Sequence, residues 1–391
     1  MESNFFYILE IAILLLLANL GGIVSKKLNQ PPVLGQIIVG IILGAGILEG
    51  SEYISRMGEI GVIFLMFIAG LETDVDELKQ SSKSSSLIAI GGVLFPGALV
   101  FAGTYFMTKN ISVSIFMAII STATSVSISV QTLREIGKLR TKQGVTILGA
   151  AIMDDIMGIV LLTLAVGILK PGSGVSLPVV MLKIVGFFVI TAFVGYVVIK
   201  LLKKFSRTIN FDDKIVTYSI VLCMLLAYVS EELGVAAITG AYFMGVILSM
   251  TSHRHKISHE INSIATTMFT PIFFVSIGMN VDIRTAFGAI AIGSVIIVLG
   301  VIGKVIGSGL GAKLSGYDNT TALQIGIGMI PRAEVAIIIA NLGVKMELIG
   351  NDELAAVILM VLVTTLITPS LLKWSFGRVK TTEYVPKASN H

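Results

Sequence analysis

Two neighbouring acidic residues, Asp154 and Asp155, lie in the middle of an otherwise uncharged apolar stretch, residues 145–169. This stretch is long enough to cross a bilayer, so both carboxylates are predicted to lie near the membrane midplane. Ionisable side chains are costly at that depth and usually belong to ion pathways or proton relays. The pair therefore indicates an ion or proton site.

Asp154 and Asp155 cannot share the same surroundings, because consecutive residues of a helix point about 100° apart. A candidate partner is Lys304, which lies in a second apolar stretch, residues 301–307. A buried lysine needs an anion or loses its proton. We therefore expect Lys304 to pair with one aspartate, which leaves the other to bind a small cation or a proton. A purely structural ion pair is the alternative, and it would account for only one aspartate.

Two apolar segments are interrupted by residues that hold a continuous helix poorly. Serines and threonines fill residues 121–129, and glycines and a proline occur in residues 326–332. In a membrane, backbone groups freed by such breaks must line a cavity or meet protein partners. We expect the first break to offer oxygen ligands to a cation from Thr124, Ser125 and Ser127. Tight helix packing by small residues is the alternative.

Arg332 and Glu334 directly follow the second break. Residues two apart in a helix point to roughly opposite sides, so these two are not expected to pair with each other. We expect structural roles for both. Arg332 would neutralise the crossing of the broken helices or bind another carboxylate, and Glu334 would have a partner elsewhere.

The composition is that of a membrane protein. Of 391 residues, 54% are hydrophobic and 13% are charged, whereas soluble domains carry about 25% charged residues. No basic patch suggests a nucleic-acid partner, and Gly303-Lys304 lacks the spacing of a phosphate-binding loop. The single cysteine, Cys223, excludes an internal disulfide, and we expect no cofactor. The expected partners are membrane lipid, monovalent cations and protons.

The predicted fold is an all-α polytopic membrane protein of about thirteen transmembrane helices. The predicted spans cover roughly residues 4–25, 32–48, 57–71, 86–107, 112–133, 143–169, 177–202, 213–231, 235–250, 259–279, 286–312, 319–344 and 353–376.

An internal repeat divides these spans. Leu28, Gly35, Gly40 and Gly44 recur at one constant offset as Leu233, Gly240, Gly245 and Ser249. Seven spans separate the copies, and an odd number of crossings inverts one copy relative to the other, as in many secondary transporters. Residues 1–176 form the first six-helix repeat and 213–376 the second. Residues 177–212 supply a linker helix with a basic loop, and residues 377–391 form a short cytoplasmic tail.

The basic residues of the predicted loops fall mainly on one side of the membrane. By the positive-inside rule, the N-terminus lies outside and the C-terminus in the cytoplasm. Glu72, Asp74, Asp76 and Glu77 then lie in an inside loop between the third and fourth spans. We expect a solvated acidic loop there, and a funnel that attracts cations is the alternative.

The sequence resembles the monovalent cation:proton antiporter-2 family, and within it NapA-type and spore-germination sodium/proton antiporters. The matching motifs are AAIMDDIMG, TATSVSISVQTLREIG, GMIPRAEVA, PPVLGQIIVGIILG and FLMFIAGLETD, together with Lys304 in its apolar helix. The resemblance implies a moving core domain, approximately residues 86–169 and 286–376, in which two broken helices cross. The remainder would form a dimerisation (panel) domain. A homodimer and an elevator-like motion are also implied.

The same resemblance assigns roles to the site residues. Asp155 would bind the transported Na⁺, Asp154 would pair with Lys304, and Thr124 would lie near the site at the first helix crossing. Exchange would be electrogenic, with Lys304 as an additional proton carrier. One position departs from the pattern, because Ala151 replaces a cation-coordinating serine found in some relatives. The choice between sodium and potassium is therefore left open.

The sequence predicts a sodium/proton antiporter of a bacterial cytoplasmic membrane, working by alternating access. Potassium/proton or sodium/proton-potassium exchange on the same scaffold is the nearest alternative. A passive cation channel is disfavoured by the repeat and the buried charges. An intramembrane aspartyl protease would need two aspartates facing each other from separate helices, and an enzymatic function is not expected.

Overall fold

The computed structural model describes residues 6–45, 52–169, 176–205, 211–279 and 289–377, and these residues contain helices without a β-strand. Ten helical segments in this part of the chain are long and apolar enough to cross a membrane. The prediction of an all-α polytopic membrane protein is confirmed. Thirteen crossings remain a prediction.

Sixteen α-helices are present within the described ranges. Their bounds are α1 Phe6–Lys27, α2 Pro32–Gly44, α3 Glu52–Glu72, α4 Val75–Thr108, α5 Ile111–Thr122, α6 Val126–Glu135, α7 Lys142–Leu169, α8 Leu177–Phe205, α9 Phe211–Glu232, α10 Ala237–Ser249, α11 Arg254–Ile264, α12 Thr270–Met279, α13 Ile290–Leu314, α14 Asn319–Gly328, α15 Glu334–Lys345 and α16 Asn351–Gly377. A π-helical turn, Ala265–Phe269, joins α11 to α12.

The start of α4 corrects one prediction. Residues 75–85 were expected to lie in a loop, but the helix begins at Val75. The Asp74 side chain caps it by accepting hydrogen bonds from the backbone N–H groups of Asp76 and Glu77, at 2.9 and 3.2 Å. Such a cap satisfies donors that the first helical turn leaves unpaired. The first turns of α4 are thus polar and precede its apolar span. The acidic loop therefore ends at Asp74, and Asp76 and Glu77 belong to the helix.

The repeat is visible in the helix boundaries. Helices α1 and α2 recur as α9 and α10, at the same offset of 205 residues that separates Thr124 from Met329. Helices α4 and α13 hold corresponding places, and they run antiparallel: Leu87 approaches Gly311, Gly91 approaches Gly307, and Pro96 approaches Gly303. Equivalent helices that run in opposite directions place the two repeats in inverted orientation.

Glycines allow α4 and α13 to pack at backbone contact. A Cβ on Gly307 would lie 2.1 Å from the Gly91 carbonyl oxygen, and a Cβ on Gly303 would lie 2.5 Å from Pro96 Cα. Small residues at such intervals are typical of close helix contacts in membranes. This approach matters for the site because α13 carries Lys304 one turn before Gly307.

Helices of one repeat also pack against helices of the other. Gly40 of α2 lies against Val275 and Gly278 of α12, and Gly245 of α10 lies against Phe67 and Gly70 of α3. The short helices α2 and α10 therefore each pack on a helix of the other repeat. The division into core and panel domains remains a prediction. The basic loop at residues 206–210 and the tail from residue 378 lie outside the described residues.

The contact between α4 and α13 generates a stability prediction. Gly307→Ala should lower the free energy of unfolding by about 1–3 kcal/mol, because the new Cβ meets backbone that cannot rotate away. Gly186→Ala in α8, where nothing lies within 4 Å of the added Cβ, is the matched control and should be neutral or mildly stabilising. Thermal unfolding in detergent measures both. Equal melting temperatures would contradict the packing argument.

Candidate cation and proton site

The two helix breaks meet each other. The Ser125 backbone N–H donates to the Pro331 carbonyl at 2.6 Å. The Thr124 hydroxyl donates to the Met329 carbonyl at 3.4 Å, and the Ser129 hydroxyl donates to the Gly328 carbonyl at 2.5 Å. Thr124 and Met329 hold equivalent places in the two repeats, so the breaks cross at a point of pseudo-symmetry.

Local chemistry explains where these helices stop. The hydroxyls of Ser121 and Thr122 donate to carbonyls one turn earlier, at 2.6 and 2.7 Å, and such bonds compete with the helical ladder. Ala123, just after α5, has an extended conformation. In the second break, Pro331 has no N–H group and disfavours helical geometry at Ile330, and α15 begins only at Glu334.

Asp154 of α7 and Lys304 of α13 form a buried ion pair beside the crossing. The Lys304 Nζ atom lies 3.0 Å from Asp154 Oδ1 and 3.1 Å from Oδ2. The exposed fractions of these two side chains are 0% for Lys304 and 1% for Asp154. The ammonium also donates to the Thr122 carbonyl, the last of α5, at 2.6 Å. The Thr124 hydroxyl interacts with Asp154 as well. The end of α5 and the break that follows it therefore contact the pair formed by α7 and α13.

Gly92 of α4 allows α13 to approach closely beside Lys304. A Cβ on Gly92 would lie 3.4 Å from Lys304 Nζ and 2.4 Å from the hydroxyl of Ser308, one turn further along α13. Lys304 therefore reaches across the α4–α13 contact to α5 and α7. The glycines of α4 and α13 thus allow the close helix packing beside which Lys304 lies.

Arg332 is fully buried and binds the ends of both broken helices. Its Nε and Nη2 atoms donate to the Ser121 carbonyl at 3.1 and 2.6 Å, and Nη2 also donates to the Gly300 carbonyl at 3.2 Å. Its Nη1 atom donates to the Ile330 carbonyl. Arg332 also interacts electrostatically with Asp154, and which of its two expected structural roles applies remains a prediction. The Glu334 side chain lies outside the described residues.

Asp155 follows Asp154 in α7 and is 7% exposed. It lies within electrostatic range of Lys304. The Ser125 and Ser127 hydroxyls, 3.1 Å apart and buried, belong to the same crossing. The site thus offers carboxylate, hydroxyl and carbonyl oxygens, which suit small hard cations. The assignment of the cation to Asp155 remains a prediction.

Some supporting residues were not identified from the sequence. The Ser121 carbonyl accepts hydrogen bonds from Arg332, and the Thr122 carbonyl accepts one from Lys304. In α16, the Thr364 hydroxyl accepts from the Arg332 backbone N–H at 3.2 Å, and the Thr365 hydroxyl donates to the Arg332 carbonyl at 2.8 Å. The sequence did contain one signal for the close packing of the helix that carries Lys304. Gly303, Gly307 and Gly311 recur at four-residue intervals around Lys304, a spacing typical of close helix contact. The threonine partners carried no local signal.

Comparison with known proteins adds an independent finding. A family model described as "Sodium/hydrogen exchanger, transmembrane" matches residues 12–376. The chain is 39% identical over 380 residues to the Na⁺/H⁺-K⁺ antiporter GerN of Bacillus cereus, covering 96% of this chain and 97% of that protein. It is 34% identical to a Na⁺/H⁺ antiporter of Enterococcus hirae, covering 94% of this chain and 98% of that protein.

The fold is also similar to a solved structure. The sodium proton antiporter MjNhaP1 of Methanocaldococcus jannaschii superposes with a TM-score of 0.77 at 18% sequence identity, covering 99% of this chain and 100% of that chain. A second structure of the same antiporter, at pH 8, gives a TM-score of 0.70 and covers 95% of this chain and 97% of that chain. At 18% identity, this structural similarity supports a shared fold.

The buried ion pair generates a thermodynamic prediction. Lys304→Ala should destabilise the chain by about 3–5 kcal/mol, because it leaves the Asp154 charge buried without its cation. Adding Asp154→Ala should restore part of that loss, so the double variant should lose less than the sum of the single variants. Unfolding in detergent measures the cycle, with exposed Lys313→Ala of the same helix as control. Additive losses would contradict a coupled pair.

Proposed function

Since the chain belongs to the sodium/hydrogen exchanger family, we propose that it exchanges Na⁺ for protons across the bacterial cytoplasmic membrane. The predicted family resemblance is confirmed by the family match and by the curated relatives. The observation that carries the proposal is the buried Asp154–Lys304 pair at the crossing of two broken helices. A second carboxylate, Asp155, follows Asp154 directly in α7 and lies within electrostatic range of Lys304.

Asp155 is the proposed exchange group. A carboxylate binds either a proton or a cation, and both neutralise the same charge. The low dielectric of a buried site makes an empty, ionised site costly. If the site changes its exposure only when it is neutralised, Na⁺ and H⁺ move in opposite directions without any further coupling device.

The inverted repeats support alternating access. Two halves of similar structure and opposite orientation provide two related conformations, one open to each side. We propose that α4–α7 and α13–α16 move as a core relative to the remaining helices, in an elevator-like motion. The site lies at the crossing of the two broken helices, one from each repeat, and both belong to the proposed core. It would therefore move with the core and become exposed to each side of the membrane in turn.

Potassium is the second candidate cation. The relative GerN is named a Na⁺/H⁺-K⁺ antiporter, and Ala151 has no side-chain oxygen one turn before Asp155. A shell with fewer fixed oxygen ligands would discriminate less between Na⁺ and the larger K⁺. Potassium/proton or sodium/proton-potassium exchange would use the same residues and the same motion.

The remaining assignments complete the proposal. The basic loops support an orientation with the N-terminus outside and the C-terminus in the cytoplasm. The chain works as a homodimer, with the panel helices at the interface. The transported ions are substrates, and exchange requires no resident cofactor.

Exchange in proteoliposomes tests the role of Asp155. Asp155→Asn should reduce Na⁺-driven proton movement to the level of empty liposomes, since an amide can carry neither a proton nor a cation in exchange. A pH-sensitive dye inside the vesicles follows the reaction after addition of sodium, potassium or lithium. Asp352→Asn, at an exposed position, is the matched control and should exchange normally. A normal rate for Asp155→Asn would refute the assignment.

A further inference from the structure

An apolar cleft lies between α4, α5 and α7. Its volume is about 390 Å³, within the range of about 300–1,000 Å³ typical of small-molecule pockets. Hydrocarbon side chains form nearly all of the wall, including Leu94 and Phe101 of α4, Ile119 of α5 and Ile168 of α7. The hydroxyl-bearing Thr122 also lines it.

The cleft opens towards the lipid. Leu94 and Ile168, at its rim, are 62% and 70% exposed, and both belong to helices long and apolar enough to span a membrane. The medium around such surfaces is acyl chain. Gly97 deepens the cleft, because a Cβ there would meet only the Thr122 methyl group, at 3.5 Å.

A lysine side chain, Lys109, lies beyond the Phe101 end of the cleft. The Phe101 ring, in the wall, stacks on the Tyr105 ring with centroids 6.1 Å apart and an interplanar angle of 1°. Lys109 terminates α4, and its Nζ atom lies 5.8 Å from the Tyr105 ring centroid and 4.4 Å from that of Phe106. Aromatic rings followed by a lysine are typical of the level of lipid headgroups. An anionic headgroup there would meet a complementary charge.

The dimensions match one lipid leaflet. Lys109 lies twelve residues beyond Gly97 along α4, which is about 18 Å at the helical rise. Half of a typical hydrocarbon core is about 15 Å. A headgroup beside Lys109 therefore places the end of its acyl chain near Gly97 and Thr122.

We propose that this cleft binds one acyl chain of an anionic glycerophospholipid whose phosphate is held by Lys109. The lipid would be selected by charge at Lys109 and by shape in the cleft. Its chain would end against Thr122, whose carbonyl accepts the Lys304 ammonium. The bound lipid would thus support the end of α5 beside the ion pair. Binding is independent of the proposed transport activity.

Quenching of a tryptophan in the cleft tests the proposal. Phe101→Trp is introduced into a Trp374→Phe background, which removes the single native tryptophan. The protein is placed in phosphatidylcholine nanodiscs that contain an equal fraction of either phosphatidylglycerol or phosphatidylcholine with brominated acyl chains. Brominated phosphatidylglycerol should associate about fivefold more strongly, which corresponds to ~1 kcal/mol for one lysine beside an anionic lipid.

Three variants in the reporter background define the site. Lys109→Ala should remove the preference for phosphatidylglycerol, and Gly97→Val should weaken quenching by filling the cleft. Lys345→Ala, at another exposed lysine, should keep the preference. Equal quenching by both lipids, or a preference that survives Lys109→Ala, would overturn the proposal.

A second measurement avoids the reporter substitutions. Native mass spectrometry of the unsubstituted chain should retain phosphatidylglycerol, and Lys109→Ala should retain about fivefold less. Equal retention by both proteins would also overturn the proposal.

Discussion

The Lys304 ammonium in the interior of the helix bundle is the charge on which the rest of the site depends. An isolated buried cation is strongly unfavourable, and here it is compensated by both Asp154 oxygens and by the Thr122 carbonyl. Each compensation requires a feature of the fold. The carbonyl is available because α5 stops at Thr122, and α13 lies close to α4 because Gly303, Gly307 and Gly311 of α13 pack against the α4 backbone.

The electrostatics of the crossing follow from the same arrangement. The C-terminal ends of α5 and α14 present carbonyls, which carry partial negative charge. Arg332 binds the Ser121 and Ile330 carbonyls, while Lys304 binds that of Thr122. Asp154 and Lys304 neutralise each other within the pair. In the proposed mechanism, a proton and a monovalent cation compete for the neighbouring carboxylate of Asp155.

The sequence predicted those features that leave a local mark. Lys304 and the aspartate pair interrupt apolar runs, the two breaks are rich in hydroxyls, glycine or proline, and the repeat preserves its glycines at one offset. It could not, from spacing alone, decide which aspartate meets Lys304, because that depends on how α7 is rotated against α13. The partners of Arg332 were equally hidden, since main-chain carbonyls have no sequence signature. The start of α4 was misplaced because a capping aspartate extends a helix beyond its apolar span.

Competition between Na⁺ and H⁺ for one carboxylate is the central claim, and initial rates of sodium uptake into proteoliposomes test it most directly. The sodium concentration is varied at a series of external pH values. If Asp155 binds either ion, acidification should raise the sodium concentration needed for the half-maximal rate and leave the saturating rate unchanged on the acidic side. A half-maximal concentration that does not change with pH, while the saturating rate falls, would contradict a shared site.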